Sequence, residues 1–90
     1  MGNSNNINYD NVDLGIKSQI IDEFKKIYLD EVKERCLHYH QKDGKPSIIM
    51  NNTKISFNSI QSLIELVKNL NRPFIIDEDE TKVCFIYGLK

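Results

Sequence analysis

"RCLHYHQKDGKP" runs from Arg35 to Pro46, and its conformation decides the fold. Cys36, His38 and His40 fall on alternate residues, and all three are side chains of the kind that binds zinc. If residues 35–41 are a strand, the three share one face. Cys84 is then a conceivable fourth ligand, and Asp43-Gly44 makes a strong hairpin turn. If the stretch ends a helix, His38 lies roughly 160° around the wheel from the other two and the site dissolves.

Several features favour the helix. No Gly or Pro interrupts the chain between Val32 and His40. His and Lys near a helix C-terminus complement its dipole, and Gly44 stands where glycine is favoured after a helix end. Helical phasing also sets His38 beside Ile20 and Ile27, and Tyr39 beside Ile21 and Val32. The first helix is therefore expected to continue to about His40. Zinc sites use spaced pairs such as C-x₂-C, and C-x-H-x-H does not match them. A cysteine nucleophile needs its base in hydrogen-bond reach and a third group to orient that base. Cys36, His38 and His40 are the residues to watch for metal, but they read as bystanders.

Working outward, Asp13 is a plausible N-cap. Ile16, Ile20, Ile21, Phe24, Ile27, Tyr28 and Val32 then trace the stripe of a core-facing helix, with Leu29 off it. Residues 1–11 are polar and Asn-rich and read as a mobile arm, in which Ile7 and Tyr9 retain the capacity to dock. Residues 12–90 read as a single domain.

"SIIMNNTKISF" changes period and predicts a hairpin about Asn51-Asn52. Asn58 with Gln61 resembles a capping box ahead of Ile60, Leu63, Ile64, Val67 and Leu70. That second helix should stop near Asn69–Asn71, ahead of Pro73. Residues 73–77 and 81–87 flank Glu78-Asp79-Glu80 as a second hairpin. The expected fold is a small α+β domain in the order α-β-β-α-β-β, its antiparallel sheet built from two hairpins.

The strand sequences Ile48-Ile49-Met50, Phe74-Ile75-Ile76 and Val83–Tyr87 do not alternate apolar with polar residues. Both faces of such strands want cover. A small chain often finds that cover in a second copy, so a homodimer is expected.

Composition excludes several activities. The 90 residues hold 12 Lys and Arg against 13 Asp and Glu, a net charge of −1, which disfavours nucleic acid as a partner. A basic patch from Lys25, Lys26, Lys33 and Arg35 would be needed to reverse that. The four glycines, at 2, 15, 44 and 88, are too scattered to cradle a nucleotide, and no cofactor is expected. No apolar run is long enough to span a bilayer, and the N-terminus lacks the pattern of a secretory signal. The two cysteines then read as reduced thiols of a cytoplasmic protein. Richness in Asn, Ile and Lys suggests an AT-rich genome, bacterial or phage.

With no catalytic set in view, the chain reads as a non-enzymatic protein-interaction module, a regulator or inhibitor acting by surface occlusion. Ile75, Phe85 and Tyr87 are the expected apolar contacts, and Glu78, Asp79 and Glu80 the polar ones.

Overall fold

A computed structural model describes residues 5–29 and 34–86. The elements follow one another as β1 (Asn5–Asn8), α1 (Leu14–Tyr28), β2 (Glu34–His38), β3 (His40–Lys42), β4 (Lys45–Met50), β5 (Thr53–Ser56), α2 (Ile60–Val67), β6 (Phe74–Asp77) and β7 (Lys82–Ile86). A single 3₁₀ turn, Lys68–Leu70, extends α2. The α+β class and both expected helices are present, but the order β-α-β-β-β-β-α-β-β replaces the expected α-β-β-α-β-β. Two sheets replace the one. The larger has strand order β1-β5-β4-β3, and the smaller β2-β7-β6. The larger is also mixed, because β1 runs parallel to β5.

The opening stretch accounts for most of this correction. Helix α1 ends at Tyr28, well short of His40, and residues 34–42 are extended. The stop has no local signal. A distant residue attends the end: Nη1 of the buried Arg72 donates to the Tyr28 carbonyl at 2.9 Å, supplying a cation and a donor to the helix C-terminus. Beyond the helix, the pattern Cys36-Leu37-His38-Tyr39-His40 has a period of two. Leu37 and Tyr39 are buried, whereas Cys36, His38 and His40 are exposed. Tyr39 is the point where the chain passes from one sheet to the other, and its N–H donates to the Thr81 carbonyl at 2.9 Å.

Turn chemistry fixes the hairpins. Asp43 and Gly44 both have positive φ (53° and 76°), as do Asn51 and Asn52 (51° and 64°), the signature of a tight two-residue hairpin loop. Asp13 caps α1 as expected, its Oδ1 accepting from the Ile16 N–H at 2.9 Å. The cap of α2 is Ser59, one residue beyond the expected Asn58. Asp10 carries out the work expected of a capping box: its carboxylate accepts from the Asn58 N–H (2.8 Å) and the Ser62 hydroxyl (2.7 Å). This ties the segment read as a polar arm to α2, and Tyr9 beside it packs into the core against Phe57, ring centroids 5.2 Å apart. The remainder of that arm, residues 1–4, lies outside the described residues.

One core joins both sheets and both helices. Phe24 of α1 meets Phe85 of β7 edge-on at 6.2 Å, and Tyr28 lies 4.9 Å from Phe24 and 5.8 Å from Phe85. Leu63, Leu66 and Val67 of α2 fill the same cluster with Ile48, Ile55 and Val83.

Candidate interaction surface

In the smaller sheet, alternation sorts the side chains cleanly. Val83 and Phe85 are wholly buried, so Lys82, Cys84 and Ile86 take the outer face of β7. Pairing places Cys36 directly opposite Cys84 on one side, and Ile75 opposite Cys84 on the other. The cysteines are joined as a disulfide across these neighbouring strands. The outer face therefore carries an apolar row, Cys36–Cys84–Ile75, with Ile75 61% exposed on the edge strand β6.

The bond corrects the expectation of a cytoplasmic protein with reduced thiols. A disulfide on an accessible face persists where the surroundings are oxidising, and cytosolic thiol pools would reduce it. It also removes both thiols from any ligand set. Cys36 and His38 do share the outer face, but His40 belongs to the other sheet beyond the buried Tyr39. Among the described residues no group of three His, Cys, Asp or Glu side chains is placed to hold a metal ion.

The acidic run sits at the β6–β7 turn, separated from the apolar row along the strands by the cross-strand rank His38–Lys82–Asp77. Asp77 Oδ1 accepts from the Glu80 N–H (3.1 Å) and shapes the turn. Glu80 pairs with Lys82 at 2.7 Å, and this hydrogen bond and charge hold the Lys82 ammonium above its ordinary range. Glu78 and Asp79 face solvent. The turn thus presents carboxylates beside Ile75, with one of them engaged by Lys82.

Of the expected contact residues, Ile75, Glu78, Asp79 and Glu80 lie together on this surface. Phe85 is fully buried and belongs to the core, so it does not reach a partner from this fold. Tyr87 lies outside the described residues. Of the cations considered for a basic patch, Lys26 pairs with Glu23 at 3.5 Å, Arg35 stacks over the Tyr28 ring at 4.9 Å, Lys25 lies in the last turn of α1, and Lys33 lies outside the described residues. The residues that sequence reading missed are Cys36 and Cys84 as a pair. Their signal was slight, two cysteines in a short chain.

No protein-family model matches the sequence. No curated protein matches it, and no solved structure matches the fold. No helix among the described residues is long and apolar enough to cross a membrane.

Proposed function

We propose that the protein is a non-enzymatic interaction module that covers a surface of another protein with the outer face of its smaller sheet. The observation that carries this reading is the uncovered apolar row ending in Ile75, with acidic side chains beside it. Burying the exposed part of Ile75, 61% of the residue, on a partner would contribute about 1–2 kcal/mol. The turn selects the chemistry of that partner, because carboxylates beside an apolar patch complement a basic rim and steer association toward it. Edge strand β6 has no strand partner on its outer side among the described residues, which leaves that border available to an incoming strand. The disulfide restricts the setting to an oxidising compartment.

A homodimer is the second reading. It is favoured by two outward isoleucines on the two sheets, Ile49 at 58% and Ile75 at 61% exposure, which a second copy would shield.

Capture from an extract of the source organism, run in parallel with wild type and Ile75→Glu, tests the first reading. One basic protein retained by wild type and lost by the variant is the expected result, with unchanged circular dichroism. Equal retention by both would refute it. Sedimentation at tens of micromolar separates the second reading, which requires a dimer that Ile75→Glu or Ile49→Glu dissociates.

A further inference from the structure

On the outer face of the larger sheet, we infer a binding site for a phosphate group. The face is built by the β3–β4 and β4–β5 hairpins. Register sets Lys42 opposite Lys45 and Ser47 opposite Ser56, and Lys54 lies opposite Ile49. With a period of two, Lys42, Lys45, Ser47, Lys54 and Ser56 all point outward. Together with Asp43 of the turn they line a groove of about 240 Å³.

Three properties of the groove point to an anion. First, like charges placed directly across a strand pair destabilise the sheet, and Lys42 with Lys45 is such a pair. Second, none of the three ammonium groups has a carboxylate in ion-pair reach among the described residues. Third, the Ser47 and Ser56 hydroxyls line the groove and make no hydrogen bond among the described residues, so both are open to a ligand. Three ammoniums and two hydroxyls are all donors, and charge-assisted hydrogen bonds to phosphate oxygens would satisfy them together.

The Asp43 carboxylate stands on the rim. Set against Lys42, Lys45 and Lys54 it leaves the groove with a net charge of about +2, the match for a phosphate near neutral pH. Size narrows the ligand further. Pockets that enclose a whole small molecule run from about 300 to 1,000 Å³, so this groove takes the charged group and leaves any attached part in solvent. The bound group is therefore free phosphate or the terminus of a phosphomonoester.

Titration of ¹⁵N-labelled protein at low ionic strength tests the site, using inorganic phosphate, phosphoserine, and sodium chloride matched for ionic strength. Saturable amide shifts confined to residues 42–47 and 53–56 are expected with phosphate and absent with chloride. Lys45→Gln with Lys54→Gln should weaken binding tenfold or more while the rest of the spectrum is retained. Phosphoserine binding threefold or more tighter than phosphate identifies an ester as the ligand, and equal binding identifies the free ion. Shifts that chloride reproduces, shifts that do not saturate, or a double variant that binds like wild type would each overturn the site. So would binding of a single-stranded oligonucleotide with none by phosphate or phosphoserine, which would make the face a nucleic-acid surface.

Discussion

Removing the Cys36–Cys84 bond isolates one interaction whose size follows from chain length. The bond closes a loop of sequence separation 48, and the loss of unfolded-chain entropy from such a loop stabilises the native state by about 4 kcal/mol. Cys36 is exposed, so replacing both cysteines by alanine forfeits little packing and leaves the loop term dominant. A domain of this length has a total stability of about 5–15 kcal/mol, so the bond supplies between a quarter and most of it. With an unfolding entropy of about 2.1 cal/mol/K per residue, the melting temperature should fall by about 20 °C. Calorimetry on wild type, on wild type with reductant, and on Cys36→Ala/Cys84→Ala measures the change. The last two should agree. A shift of only a few degrees would refute the reasoning. So would two thiols per chain reacting with Ellman's reagent in protein purified without reductant.

Three further outcomes follow from the core and its polar exceptions. Phe85→Ala empties the ring cluster around Phe24 and Tyr28 and should cost about 3–5 kcal/mol in urea unfolding. The Tyr39 hydroxyl is buried without a hydrogen-bond partner among the described residues, so Tyr39→Phe should raise stability by about 1 kcal/mol; a comparable loss would show that the hydroxyl is paired. Burial pushes the Tyr9, Tyr28 and Tyr39 phenols above their ordinary range, so the folded state holds their protons more tightly than the unfolded chain does. Their contribution is full below about pH 10 and is lost as pH rises through the folded-state values; denaturant midpoints should fall in that window, with phenolate absorbance rising late.

Local chemistry made much of the fold readable. The Asn51-Asn52 turn, the β6–β7 hairpin, the Asp13 cap and the end of α2 near Asn71 all rest on residues within a few positions of each other. What could not be read depends on partners far along the chain. Arg72 bonds the last carbonyl of α1 from 44 residues away, and no Gly or Pro between Tyr28 and His40 announces the end of the helix. The period of two in residues 36–40 competed with a helical phase that fits the same residues, and only pairing with β7 distinguishes them. Strand β1 reads "NNIN", with no apolar alternation, and sits in place because Tyr9 and Asp10 are anchored behind it. The disulfide depends on the same register, since a one-residue slip would turn Cys36 inward and away from Cys84. Non-alternating strands were a sound signal of outward apolar residues. They do not say which side chain faces out: Phe85 turns into the core and its neighbour Cys84 takes the outer face.

The proposed docking role of the smaller sheet is tested most directly by a photo-reactive amino acid at position 75, irradiated in the source organism, with the exposed position 68 as control. A covalent adduct with one basic protein at position 75, absent at position 68 and weakened when Glu78 and Asp79 are made neutral, is the expected result. Equal adducts at both positions, or none at position 75, would contradict a docking role for the smaller sheet.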